Sequence, residues 1–175
     1  MHVLTPIDAT SSKGAQYSQI HQQLTELLRG ERDWIANASN TAALLYNLLP
    51  EVSWLGFYLW QGGELVLGPF QGKPACTRIQ PGKGVCGLAA EKQEVVVVPN
   101  VNEFPGHIAC DTASQSEIVI PLMNWGKLIG VLDVDSASLN RFDAEDAEGL
   151  ETAVAILLNA VDSDQLPDLS ESAAQ

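Results

Sequence analysis

The chain has 175 residues, 46% of them hydrophobic and 18% charged, with a formal net charge of −13. That length and composition point to one globular domain with a real core and away from a disordered chain. The acidic balance argues against nucleic acid and anionic membrane surfaces as partners, although much of it falls after residue 140, where a solvated helix face and a tail would carry it.

Residues 1–16 are polar and mixed and read as a loose arm. Over 17–28 the residues Tyr17, Ile20, Leu24, Leu27 and Leu28 recur at helical spacing, and Arg29-Gly30 ends that helix. A second helix over 33–48 places Trp34, Ile35, Ala38, Thr41, Ala42, Leu45 and Leu48 on one broad side, and Pro50 closes it. The pair either covers one face of a sheet or forms a homodimer surface. A strand over 53–60, a turn over 61–64 and a return over 65–70 form a hairpin. Period-two alternation puts Trp54, Gly56, Tyr58 and Trp60 on one face and Leu55, Phe57 and Leu59 on the other. Both faces are apolar, so both are covered, and the Trp54/Tyr58 face either lines a pocket or fills a core. A buried indole N–H and phenol O–H there need partners.

A short strand over 76–79, a turn at Pro81 and a short helix over 85–93 carrying Cys86 come next. Gly82-Lys83-Gly84 lacks the full phosphate-binding pattern. The run over 94–99 reads as a buried strand, and 100–114 as a long aperiodic loop of the kind that is usually functional. Strands over 117–124 and 127–135 form a long hairpin turning at Trp125. Asp143 is a helix N-cap with Asp146 three residues on, and Leu150, Val154, Leu157, Leu158 and Val161 give that last helix an apolar stripe. The acidic segment 162–175 reads as disordered. The order implies an α+β fold, an antiparallel sheet with helices packed on it, occupying 17–161 as a single unit.

No apolar run reaches the length of a transmembrane helix, and residues 1–6 show no signal-peptide pattern, so a cytoplasmic location is expected. In a reducing compartment the three cysteines, Cys76, Cys86 and Cys110, do not form a permanent staple. Their wide spacing lacks the compact pairs of a zinc site, so no metal is expected. Reactive or merely buried thiols remain. Asp133 and Asp135 are two apart in a strand and share a face. Aspartate is depleted in strand interiors, and burying it costs on the order of several kcal/mol unless it is paired. Either the two line a hollow that receives a cation or a metal, or the strand ends in water at Ser136. Hairpin pairing brings Glu117 to the same end. Three carboxylates in one hollow do not all ionise cheaply, so at least one is a proton donor at neutral pH and the others hold an ammonium group. The Cys110 loop leads into Glu117, which lets the thiol reach the hollow. His107 is either an aid to the thiolate or a surface histidine.

The cysteines lie in Gly72-Lys73-Pro74-Ala75-Cys76, Gly82-Lys83-Gly84-Val85-Cys86-Gly87 and Phe104-Pro105-Gly106-His107-Ile108-Ala109-Cys110-Asp111, and the last is followed by Ser114-Gln115-Ser116-Glu117-Ile118-Val119-Ile120-Pro121. Together these runs resemble the free methionine-(R)-sulfoxide reductases, enzymes built on a single GAF domain, over roughly residues 17–161. The resemblance implies reduction of free L-methionine-(R)-sulfoxide, with Cys110 as nucleophile and sulfenic acid, and Cys76 as the resolving thiol that closes a disulfide with it. It implies Cys86 as a third cysteine that relays or backs up resolution, and recycling by thioredoxin without a bound cofactor. Glu117 and Asp135 match the proton-supplying positions. Trp54 and Tyr58 match the aromatic wall for the S-methyl group. Asp133, Asp135 and Glu117 match the ammonium site, and the backbone N–H groups around Ile108 and Ala109 match the carboxylate site. Three rival readings stand beside it. One is a GAF ligand sensor, which needs no cysteines. Another is a thiol redox sensor that shares the disulfide without turnover. The third is a zinc protein using Cys76, Cys86, His107 and Cys110.

Overall fold

A computed structural model describes residues 3–106, 113–162 and 166. The first two helices are α1 (Lys13–Leu27) and α2 (Trp34–Leu48). Their N-caps are Ser12, which accepts from the Ala15 N–H, and Asp33, which accepts from the Ala36 N–H. α1 therefore starts inside the span expected to be a loose arm. Its first turn, Lys13-Gly14-Ala15-Gln16, carries no apolar stripe to announce it. Upstream, Thr5 and the Gln23 side chain exchange hydrogen bonds of 2.8 and 2.9 Å, so the arm lies along α1.

The strands are β1 (Val52–Gln61), β2 (Glu64–Gln71), β3 (Arg78–Ile79), β4 (Val96–Val98), β5 (Ser116–Asn124) and β6 (Lys127–Ser136). They form one sheet in the order β3-β2-β1-β6-β5-β4, antiparallel throughout. Two tight turns fix its registers. Gly62 and Gly63 both have positive φ between β1 and β2, and Trp125 and Gly126 both have positive φ between β5 and β6. Two expectations change at the edges. β3 starts at Arg78, leaving Cys76 ahead of the strand. β4 is a three-residue edge strand whose central Val97 is 36% exposed, not a strand buried on both sides. Helix α3 (Gly84–Lys92) lies between β3 and β4, and the expected long loop includes a 3-10 turn at Val101–Glu103.

Both faces of the sheet are covered, as the apolar alternation of β1 requires. On one face Leu55, Phe57, Ile118, Ile120, Leu132 and Val134 pack against α1, α2 and α4 (Ala144–Ala160). On the other, Trp54, Tyr58, Val119 and Val131 meet Val85, Cys86, Ala89 and Ala90 of α3. Asp143 caps α4 as expected: it accepts from the Glu145 and Asp146 N–H groups, and the Asp146 side chain accepts from the Asp143 N–H. On the α4 stripe Leu158 is only half-buried, whereas Leu150, Val154 and Leu157 are core. Of the segment 162–175 only two residues are described, and one of them, Leu166, packs onto the helical layer. No described helix is long and apolar enough to cross a membrane.

Asp146 is wholly buried and joins the helices. It accepts from Tyr17 Oη (2.9 Å) and Lys13 Nζ (2.7 Å) of α1, and from Arg141 Nη1 (3.1 Å). Gly149 lets the Tyr17 ring approach: a Cβ there would sit 2.3 Å from it. Replacing Asp146 with alanine strands a buried guanidinium, a phenol O–H and the capped N–H at once. The expected loss is about 3–5 kcal/mol in urea unfolding. A loss below about 1 kcal/mol would contradict this account of the α1–α4 joint.

Candidate active site

The β5–β6 register pairs Glu117 with Asp135 and Val119 with Asp133, and β1 brings Trp54 beside Asp135 and Gly56 beside Asp133. Asn124 pairs with Lys127 at the turn, and a register shift between Leu122 and Met123 then moves Glu117 opposite Asp135, so the carboxylate cluster depends on that irregularity as well as on the hairpin. Glu117 is 6% exposed and Asp133 7%, and Asp135 is half-buried. Gly56 gives its space to the aromatic rings: a Cβ there would lie 2.6 Å from the Trp54 ring and 2.4 Å from the Phe70 Cβ. Across the hollow, α3 presents Cys86, whose Sγ lies 4.0 Å from Glu117 Oε1. Asp133 Oδ1 is buried and has no hydrogen-bond partner among the described residues.

One wall is aromatic. Trp54 stacks on Tyr58 (centroids 6.0 Å apart) and on Phe70 (5.5 Å). Their polar atoms find the partners that burial demands. Trp54 Nε1 donates to the Lys73 carbonyl and Tyr58 Oη to the Cys76 carbonyl, each at 3.0 Å. The aromatic pair thus holds the segment that carries Cys76. Cys76 is disulfide-bonded; Cys86 is a buried free thiol.

The electrostatics follow from crowding. Burial pushes the Glu117 carboxyl well above the usual range, and the charges of Asp133 and Asp135 add to it. Burial also pushes Asp133 up, to about 6, while hydrogen bonds from Cys86 and Glu117 oppose the rise. The Glu117–Asp133 hydrogen bond raises one carboxyl and lowers the other, so Glu117 keeps the proton and Asp133 accepts it. Burial, then the neighbouring Asp133 and Glu117 charges, raise the Cys86 thiol well above its ordinary value. Burial and crowding thus favour the neutral forms of the Glu117 carboxyl and the Cys86 thiol.

The GAF domain family matches residues 18–161. The free methionine-R-sulfoxide reductase of Escherichia coli is 49% identical over 141 residues, covering 81% of this chain and 86% of that protein. The Saccharomyces cerevisiae protein of the same name is 48% identical over 130 residues, covering 70% and 72%. Among solved structures, a free methionine-R-sulfoxide reductase from Neisseria meningitidis, in complex with its substrate, superposes with a TM-score of 0.86 at 46% identity, over 91% of this chain and 95% of that one. The chain belongs to the free methionine-R-sulfoxide reductase family.

Of the residues singled out in the sequence for this reductase family, Trp54, Tyr58, Cys86, Glu117, Asp133 and Asp135 share one face of the sheet, and Cys76 is tied to it through Tyr58. His107, Ile108, Ala109 and Cys110 lie outside the described residues. Two contributors escaped sequence reasoning. Phe70 extends the aromatic wall, and Gly56 makes room for it; their direct pairing across β1 and β2 was readable only once the register was known. Cys86 was left without a definite role, and the structure puts it against Glu117. The zinc reading loses Cys76, since a disulfide sulfur is not a thiolate ligand.

Glu117 and Asp133 hold protons in the folded protein that the unfolded chain releases. Both carboxyls are raised in the fold, so stability falls as pH rises above the ordinary carboxylate range, through about 6 for Asp133. Glu117→Gln removes the Glu117 part of that slope. Its stability relative to the parent is expected to grow as pH rises above the ordinary carboxylate range in urea unfolding. A gap that stays constant with pH would contradict the buried-proton assignment.

Proposed function

We propose that the protein reduces free L-methionine-(R)-sulfoxide to L-methionine. The observation that carries this reading is the buried hollow in which Glu117 and Asp133 lie on the same sheet face as the Trp54/Tyr58 wall. Asp133 Oδ1, buried and without a partner among the described residues, is a ready acceptor for the ammonium of an amino acid. Asp135, half-buried at the mouth, completes the acceptor set. The apolar side of the substrate, with its S-methyl group, rests on Trp54 and Tyr58. Needing both a free ammonium and a free carboxylate restricts the substrate to the free amino acid.

In this proposal Cys110, as thiolate, attacks the sulfoxide sulfur. The S–O bond breaks, the oxygen passes to Cys110 as a sulfenic acid with a proton from the Glu117 side, and methionine leaves. The Cys76 thiol then displaces water from the sulfenic acid and closes a Cys76–Cys110 disulfide. Two electrons and two protons from a thioredoxin-type dithiol restore both thiols. The disulfide-bonded state of Cys76, with its carbonyl held by Tyr58, supports its part as the resolving thiol. Carboxylates near Cys110 disfavour its thiolate, and the ammonium of bound substrate offsets them.

The test is turnover with thioredoxin, thioredoxin reductase and NADPH on the free (R) sulfoxide, beside the free (S) epimer and a peptide-bound sulfoxide. The expected result is NADPH oxidation with the free (R) form alone, abolished in Cys110→Ser. No oxidation with any of the three, in a protein that still forms the Cys76–Cys110 disulfide under peroxide, would replace the reductase reading with that of a thiol redox sensor.

A further inference from the structure

Cys86, Glu117 and Asp133 come from three different elements, α3, β5 and β6, yet one donor atom from each lies within 4.8 Å of the other two. Such a meeting of one sulfur and two carboxylate oxygens is more than a crowd of acids. Asp133 is more than nine-tenths buried, and its Oδ1 has no hydrogen-bond partner among the described residues. A buried carboxylate oxygen left without a partner is costly, and an ion in the cluster would supply one.

The donor set selects the ion. Mg2+ and Ca2+ want about six to eight hard oxygen ligands, and a thiolate does not serve them. A borderline-soft divalent cation such as Zn2+ takes cysteine sulfur at about 2.3 Å and carboxylate oxygen at about 2.0–2.2 Å, which at a tetrahedral angle separates sulfur from oxygen by about 3.5 Å. Cys86 Sγ and Glu117 Oε1 stand 4.0 Å apart and all three donors lie within 4.8 Å of one another, so side-chain rotations of about half to one ångström bring them to coordination distance. Three protein donors leave a fourth position open, the pattern of a site that exchanges a ligand. We infer that Cys86, Glu117 and Asp133 form a three-donor site for a soft divalent cation of the Zn2+ class, and that the cation and an amino-acid ammonium exclude each other there. The exclusion rests on the placing of the ammonium under the proposed function; the metal site does not.

Full-length Cys76→Ser/Cys110→Ser protein keeps Cys86 as its sole thiol. Titrating it with Co2+ is expected to give a thiolate-to-cobalt charge-transfer band saturating at one equivalent. The band is expected to vanish when Cys86→Ser is added. The near-isosteric changes Asp133→Asn and Glu117→Gln are each expected to weaken Zn2+ binding at least tenfold by calorimetry, with circular dichroism confirming the fold. No band, or a Zn2+ affinity untouched by both carboxylate changes, overturns the site. In the same double variant, free L-methionine is expected to weaken Zn2+ binding in proportion to its concentration. Methionine and Zn2+ bound together would overturn the exclusion, and with it the placing of the ammonium, while leaving the metal site standing.

Discussion

Placing Glu117 and Asp133 on adjacent strands of a sheet covered on both faces forces a choice on the molecule. Two charges so close, and so far from water, repel strongly, and neither is fully hydrated. That crowding pushes Glu117 toward its protonated form, hydrogen-bonded to Asp133. An acid kept protonated inside a fold is a stored proton beside an acceptor, and that pairing of roles is what the chemistry proposed here uses.

The rest of the fold serves to keep that hollow dry and shaped. β1 and β6 run through the middle of the sheet, so the carboxylates they flank are covered from behind by the layer of α1, α2 and α4. From the front, α3 closes over them with small side chains and a single thiol. The aromatic wall belongs to the same economy of space. Trp54 and Tyr58 fill the side of the hollow with ring surface and use their polar atoms to hold the backbone at Lys73 and Cys76. Ring packing and the position of the segment that carries Cys76 are thereby linked through two hydrogen bonds.

Much of this was legible in the sequence because it rests on side-chain period and turn chemistry. The parity of Trp54 and Tyr58, the placing of Glu117 at the Asp133–Asp135 end of the hairpin and the Asp143 cap all follow from rules that act over a few residues, and the structure shows each of them, whereas the exact Glu117–Asp135 register depends on a shift at Leu122 and Met123 that residue identity does not announce. What was not legible depends on backbone groups or on small residues. The partners of Trp54 and Tyr58 are carbonyl oxygens, which leave no trace in residue identity. The first turn of α1 has no apolar face, so Ser12 was its one signal. α3 is short and rich in glycine and alanine, which made the direction of Cys86 unreadable until the helix was seen packed on β5 and β6.

The account stands on Glu117 carrying a proton at neutral pH. Infrared difference spectra of the reduced protein and its Glu117→Gln variant test this directly. The protonated-carboxyl stretch of a buried acid should be present in the parent at pH 7, absent in the variant, and shifted when free L-methionine binds. A parent spectrum with no such band at pH 7 would mean that Glu117 is ionised, and the proton assigned to it would have to come from elsewhere.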